Sequence, residues 1–550
     1  MTQLNIEKPI DLLRRLPIDR EVLLIAPAGC GKTQALATRA AALIQQGSVR
    51  SPRRLLALTY SNKARDNLRV RLRSELPASA QQLVQVSTLH GFAGRVTAAH
   101  GRCLGLDMTR TLPEQGALRR LRRDAGISYQ NSDYVDGILT RHKRNAGIDD
   151  QALLDALADS GCREAVAYEQ ALRAEGRVDF DDMLRYGARL LKLERVARLY
   201  RQHFAGALVD EVQDLSLLQL EMIESIGERR VTYAGDPEQG IYAFAGAEPA
   251  SIFRRLRERE PELVPLTVSY RSSPAVLRAV NALASGTGAP VLTCHDSTKW
   301  AEDCAFASLV STNEDAEARH LLRFIRDYMH GYPERSIGIL TRGNRRLSYL
   351  LPVLTHAGLT FQDWSVPTHV PSVMALLRRH AAAACADPGS PTTHGERLVE
   401  LCTADAALGD VTTHDEVRSA VDILLDQVTP GVPLSQVVAR MPTPQQPDRP
   451  VAPGLHVLTG HAGKGQEFDL VIIVGLEDGK IPDFRATTSV AIAEERRVLH
   501  VMLSRAKHSL LITRIENETR TPRWVAPAKR SPWWDLLAEV ATEIGARPAR

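Results

Sequence analysis

EVLLIAPAGCGKTQALATRAAALIQQ, from Glu21 to Gln46, decides the fold. Glu21 to Ala26 is a short leucine- and valine-rich run ahead of a Pro/Gly turn, and it reads as a buried strand. A glycine loop follows: Ala26-Pro27-Ala28-Gly29-Cys30-Gly31-Lys32-Thr33 fits the phosphate-binding pattern, with Ala at the first glycine position. Lys32 to Gln46 is rich in Ala and Leu with no interior Gly or Pro, so a helix starts where the loop ends and stops before Gly47. Glycines let successive backbone N–H groups turn toward an anion, and the helix N-terminus adds partial positive charge. Lys32 would then reach the β- and γ-phosphates of a nucleotide, and the Thr33 hydroxyl would bind Mg²⁺. Cys30 reads as a packing residue.

A chain of 550 residues is too long for one core, so several domains are expected. With 44% hydrophobic, 24% charged and 5% aromatic residues, the composition is that of a soluble globular protein and excludes a disordered or membrane-embedded class. The formal net charge of +4 is compatible with nucleic acid without demanding it. Seven cysteines form no C-x-x-C pair and no regular framework, which predicts a reducing compartment and no zinc site. The start MTQLNIEKPIDLL lacks a basic segment followed by an apolar run, and no apolar stretch is long enough to span a bilayer. A cytoplasmic protein with no membrane partner is expected.

Along the chain, Arg53 to Thr59 reads as a second strand, Asn62 to Leu76 as a helix and Val84 to Thr88 as a third strand. From Ala93 to Arg177 the pattern is helical and basic. The runs Arg119 to Arg123 and Arg141 to Arg144 read either as solvated helix faces or as a lining for a phosphate backbone. Strands return at Gly206 to Val209 and Val231 to Ala234. A second alternating set occupies Phe306 to Val310, Ser336 to Leu340, Leu455 to Thr459, Leu470 to Val474 and Ser509 to Thr513. Strands alternating with helices predict an α/β fold of parallel sheets with crossover helices. Between Trp364 and Gly454 a small helical insertion is expected, returned by an extended linker with seven prolines from Pro430 to Pro453.

The strand Ala207-Leu208-Val209 ends in Asp210-Glu211, which places one carboxylate to hold Mg²⁺ and a second to orient an attacking water. Further segments stand out: LALTYSNKARDNL (Leu56 to Leu68), VSTLHGFA (Val86 to Ala93), VDFDDML (Val178 to Leu184) and VTYAGDPEQGIYAFAGA (Val231 to Ala247). They continue as LTVSYRS (Leu266 to Ser272), VLTGHAGKGQEFDLVIIVGLEDGKIP (Val457 to Pro482) and EERRVLHVMLSRAKH (Glu494 to His508). In these segments, in this order, the chain resembles the UvrD/Rep/PcrA family of superfamily 1 helicases.

The resemblance implies two RecA-like parallel-sheet motor lobes, each with a mainly helical insertion, and ATP bound between the lobes. The first lobe would take residues 1–94 and 178–262, with its insertion at 95–177. The second would take 263–364 and 455–550, with a reduced insertion and Pro-rich linker at 365–454. By this resemblance Glu211 is the catalytic base, Gln239 senses the γ-phosphate, and Arg271 and Arg505 reach the phosphates from the second lobe. Tyr270 would stack on the nucleotide base and Glu467 would contact the ribose. Thr33 and Asp210 would hold Mg²⁺. Single-stranded or tailed duplex DNA would meet Tyr60, Phe92, Tyr242 and Phe244, with Thr59, Asn62, Thr88, His90 and His461 as further contacts. For Phe92, core packing is an equal alternative. The implied activity is ATP-dependent translocation on single-stranded DNA and 3′ to 5′ unwinding.

Departures accompany the likeness. Gln34 follows Thr33 where relatives carry arginine, Ala245 stands where they carry a second arginine, and Gln466 replaces a leucine. The short second insertion is shared with compact helicase-like subunits of antiphage systems such as Gabija, which act with a nuclease. A separate nuclease or a repair or defence protein is therefore a possible partner, because no nuclease signature stands in this chain. The alternative function is a DNA- or nucleotide-sensing ATPase subunit with little autonomous unwinding.

Overall fold

The computed structural model describes residues 8–544 apart from 107–112, 114, 129–130, 145–147, 244–245, 301–303, 344–345, 365–370, 406–416, 419, 422–423, 426–427, 429–431, 442–450 and 522–523. The chain divides into two compact units between Ser269 and Tyr270. Each is built on a parallel sheet, as the alternating strand and helix pattern predicts. Among the described residues no helix is long and apolar enough to cross a membrane.

The first unit carries β1 (Val22–Ile25), β2 (Arg54–Thr59), β3 (Val84–Thr88), β4 (Phe204–Val209), β5 (Val231–Gly235) and β6 (Glu262–Pro265). Their order is β3-β2-β4-β5-β1-β6, parallel throughout. A parallel sheet is covered on both faces, which is why β1 and β4 are apolar along their whole length. Only β6 escapes the sequence pattern. It is four residues long, starts with a glutamate, buries only Val264, and closes with Pro265 at the sheet edge, where a missing N–H costs no ladder bond.

Leu23, Leu58, Val209 and Tyr233 from the strands pack with Phe92, Leu184 and Ile223 from the covering helices. Helices Leu89–His100 and Phe180–Leu191 cross closely at Gly187, where a Cβ would come within 2.9 Å of the Ala93 Cβ. Helices Gln115–Asp124, Ser132–Lys143, Asp150–Asp159 and Arg163–Ala174 enclose a separate apolar core around Leu121, Leu139, Leu153 and Leu172.

Charge, buried in quantity, ties these helices to Phe180–Leu191. The Lys143 ammonium is fully buried and meets Glu169 at 2.8 Å, Asp179 at 2.7 Å and Asp182 at 3.0 Å. Asp179 and Asp182 also form the capping box that starts the helix. Arg185 extends the network to Asp182 at 3.0 Å and Asp150 at 2.7 Å. Burial opposes the Lys143 charge, yet Asp179, Asp182 and Glu169 together hold its pKa well above the ordinary lysine value. Of the basic run 141–144, Lys143 thus neither faces solvent nor lines a phosphate backbone. In the run 119–123, Arg120 and Arg122 are taken by Glu175 and Asp136, each at 2.7 Å.

The second unit holds β7 (Phe306–Ser311), β8 (Ser336–Thr341), β9 (Phe361–Asp363), β10 (Gly454–Thr459), β11 (Phe468–Val474), β12 (Ala506–Ile515) and β13 (Thr542–Glu543). Their order is β9-β10-β8-β11-β12-β7-β13, again parallel. Helices Pro371–Ala384 and Pro391–Ala404 enclose their own cluster with Leu377, Leu398 and Val421. The expected extended linker is corrected in part. Leu434–Ala439 is a helix, because Leu434, Val437 and Val438 fall on one face and join that cluster. Most of the linker's prolines lie outside the described residues.

Removing the ammonium while leaving three carboxylates buried should be costly. Lys143→Met is expected to destabilise this region by about 3–5 kcal/mol, seen as faster amide hydrogen exchange in helices Arg163–Ala174 and Phe180–Leu191. Unchanged protection there would show that the ion cluster is not what secures them.

Candidate functional site

Three loops at the C-terminal ends of β1, β4 and β5 converge in the first unit, the position where parallel sheets present their ligand sites. The loop after β1 turns through left-handed glycines at Gly29 and Gly31, with φ of 80° and 81°. A Cβ is strained in that region, so these are the two positions where the turn demands glycine. Ala26 is buried, and its N–H donates to the Gly235 carbonyl at 2.9 Å, so an alanine suffices at the first position of the pattern. Cys30 is buried as expected for a packing residue. The helix Lys32–Gln45 begins at the end of the loop.

Lys32 Nζ lies 2.5 Å from Glu211 Oε2 and 3.4 Å from Asp210 Oδ1. Burial disfavours the ammonium, but Glu211 and Asp210 outweigh that and hold Lys32 well above its usual pKa. Asp210 is itself buried, which pushes its carboxyl up against the pull of Lys32. Glu211 adopts φ 55°, uncommon for a residue with a Cβ, and such strain costs about 1–3 kcal/mol. Its N–H donates to Asp210 Oδ1 at 2.9 Å, closing the tight turn that aims both carboxylates at the loop.

Gln213, which the motif reading passed over, is fully buried and joins the loops after β4 and β5. Its side-chain N–H donates to the Glu211 carboxylate, and its Oε1 accepts the Asp236 N–H at 3.1 Å. Gln239 is buried in the next turn and donates to Asp236 Oδ2 at 2.6 Å. The DEVQD spacing could have signalled Gln213, since two residues past a strand-ending carboxylate a short 3₁₀ turn brings it back toward the strand.

The donor set fits Mg²⁺. Two carboxylates already enclose one cation, the Lys32 ammonium, at the mouth of the loop that carries the Thr33 hydroxyl. Among the described residues no three His, Cys, Asp or Glu cluster to hold a metal alone. That agrees with an ion that takes one or two protein ligands and completes its shell with phosphates and water.

A ring cluster lies in the same unit. Tyr60 and Tyr242 are nearly coplanar in direction, with centroids 6.1 Å apart and planes 12° apart, and His90 meets Phe180 edge-on at 6.2 Å. Asn62 is exposed. Thr88 caps the next helix by accepting the Gly91 N–H at 3.0 Å. Two expected DNA contacts are corrected. Phe92 is buried in the core against Tyr200 and Phe204, and Thr59 is fully buried with its hydroxyl on the Ser61 carbonyl. Both belong to chain segments that face inward where the sheet meets its covering helices. Phe244 lies outside the described residues.

In the second unit Tyr270 is 63% exposed, with His295 covering one ring face at 4.4 Å. Arg271 pairs with Glu467 at 2.5 Å, so two residues assigned separately from sequence stand together. The hydroxyls of Ser272 and Ser273 donate to the Ala506 and His508 carbonyls at 2.8 and 2.7 Å, lacing SYRSS to the LSRAKH segment. Arg505 is buried and donates to the Val501 carbonyl at 2.9 Å and the Ser504 hydroxyl at 2.8 Å. His461 lies half-buried in the turns after β10.

Residues 13–259 match the family model described as the UvrD/REP helicase N-terminal domain, and 442–517 match the UvrD-like helicase C-terminal domain. The chain is 29% identical to ATP-dependent DNA helicase UvrD2 of Mycobacterium tuberculosis, over 90% of this chain and 76% of that protein. It is 28% identical to DNA helicase II of Escherichia coli over 62% of this chain and 49% of the relative. With ATP-dependent DNA helicase PcrA of Leuconostoc citreum the figure is 30%, over 48% and 37%.

Gln213→Ala would strand the Asp236 N–H and remove one of the groups that hold the Glu211 carboxylate, leaving the Lys32 ion pair in place. A stability loss of about 1–3 kcal/mol is expected, together with a fall in the kcat of nucleotide hydrolysis larger than any change in KM. An unaltered kcat would remove Gln213 as the residue that orients Glu211.

Proposed function

Because the chain belongs to the UvrD/REP helicase family, and by that membership is an ATP-dependent DNA helicase, we propose that it hydrolyses ATP to move 3′ to 5′ along single-stranded DNA and part the duplex ahead. The observation that carries this reading is the Lys32, Asp210 and Glu211 constellation beside a phosphate-binding loop. When a nucleotide enters, Lys32 turns from Glu211 to the β- and γ-phosphates. Glu211 is then free to accept a proton from the attacking water, held in direction by Gln213. Asp210 and Thr33 would hold Mg²⁺, which when bound neutralises charge on the phosphates.

Gln239 contacts the γ-phosphate, while Tyr270 and Glu467 take the base and ribose. Arg271 and Arg505 serve as phosphate-contacting cations, whose charge favours the transition state more than the ground state. For Arg505 this requires exchange of its bonds to Val501 and Ser504. DNA bases stack on Tyr60 and Tyr242, which suits a motor because every base has a π-face. His90, Asn62, Thr88 and His461 complete the DNA contacts. The motor lobes would be 1–94 with 178–262 and 263–364 with 455–550, interrupted by insertions at 95–177 and 365–454. The relatives described above are all named helicases, which favours the motor reading over the sensing-subunit alternative.

Two measurements test the proposal. ATP hydrolysis should rise steeply with single-stranded DNA, and duplexes with a 3′ tail should be unwound in preference to those with a 5′ tail. ATPase with no DNA response would sink the motor reading, and a 5′ preference would reverse its polarity. Glu211→Gln should still bind ATP yet lose about 10²-fold or more in turnover, and normal turnover would exclude Glu211 as the base.

A further inference from the structure

Arg144 follows the helix Ser132–Lys143 and belongs to the same basic run as Lys143, but its surroundings are different. Lys143 is sealed among three carboxylates, whereas the Arg144 side chain keeps 18% exposure at the edge of the ring cluster. Its Nε donates to Asp181 Oδ1 at 3.3 Å, and the second Asp181 oxygen accepts the Thr140 hydroxyl at 2.9 Å. The guanidinium lies against Gly246, where a Cβ would stand 2.3 Å from Nη1. The next residue, Ala247, donates its N–H to the Tyr242 carbonyl at 3.1 Å, which sets Gly246 close to Tyr242. The Gly246 φ of 79° and the crowding guanidinium both exclude a side chain there. The Arg144 charge also acts on the Tyr60 phenol and the His90 imidazole. Cation, stacked tyrosines and histidine are thus assembled from four separate stretches of chain.

A base stacked on Tyr60 or Tyr242 brings its backbone phosphate with it, and a phosphate favours a cation within reach. We infer that Arg144 contacts the DNA backbone, held on Asp181 in the free protein and passed to a phosphate when single-stranded DNA binds. A guanidinium bonds carboxylate and phosphate oxygens through the same N–H fork, so the exchange swaps one anion for another with little loss. The side chain therefore couples the helical insertion to occupancy of the stacked tyrosines. The inference rests on the reading of Tyr60 and Tyr242 as part of the single-strand path.

Equilibrium binding of labelled oligothymidylate to the full chain over a range of salt concentrations tests it. Arg144→Ala should weaken binding about three- to tenfold and reduce the slope of log affinity against log salt by about 0.7, one phosphate contact on a single strand. Arg144→Lys should keep most of the slope, and Asp181→Asn should tighten binding by releasing the guanidinium. Tyr242→Ala is the control for the path itself. If Tyr242→Ala weakens binding while Arg144→Ala changes neither affinity nor slope, the inference falls and the path stands. If neither substitution alters binding, the path reading falls and takes the inference with it. Affinity lost in Arg144→Ala with an unchanged salt slope would assign Arg144 a structural role and also overturn the inference.

Discussion

The first unit depends on a buried ammonium with two carboxylates to answer it. Burial opposes the Lys32 charge while Glu211 and Asp210 favour it, and Lys32 in turn offsets part of what burial costs Asp210. The pair of acids is delivered by a parallel sheet, whose strands all end on the same side and whose β1 and β4 loops therefore meet. The strained turn at Glu211 is the local cost of aiming both acids at one loop. Gln213 and Gln239 then use the β5 loop, through Asp236, to hold that geometry. What results is a lysine and two carboxylates held together at the glycine loop, the arrangement on which the proposed phosphate site rests.

A second buried charge cluster does a different task. Lys143, Glu169, Asp179, Asp182 and Arg185 leave the apolar core of the four helices between Gln115 and Ala174 to itself and fix those helices to Phe180–Leu191 by ion pairs. Apolar packing alone tolerates sliding, whereas a lysine with three specific partners does not. That fixed junction brings the next residue, Arg144, to the stacked tyrosines. Adjacent cations of one basic run thereby take opposite fates, one structural and one facing the ring cluster.

Much of this was legible in the residues. Strands such as Val22–Ile25 and Phe204–Val209 were readable because buried parallel strands are apolar throughout, and the loop from Ala26 to Thr33 because its glycines admit few other uses. Phe92 was not decidable from sequence. An aromatic in HGFA suits a DNA face or a core equally, and its contacts with Tyr200 and Phe204 settle it inward. The helix Leu434–Ala439 was hidden by flanking prolines, since local propensity could not reveal the apolar cluster that holds it.

The residue order alone therefore determined the α/β class, the glycine loop and the family, because those rest on local backbone needs and on motifs read along the chain. The tertiary structure decided which charged and aromatic residues meet. Gln213 bridging Glu211 to Asp236, Arg271 on Glu467, and Arg144 against Gly246 join positions whose separation in sequence carries no signal. Such contacts are set by how sheets and helices pack, and a run of basic residues looks the same whether its members end buried, paired or facing DNA.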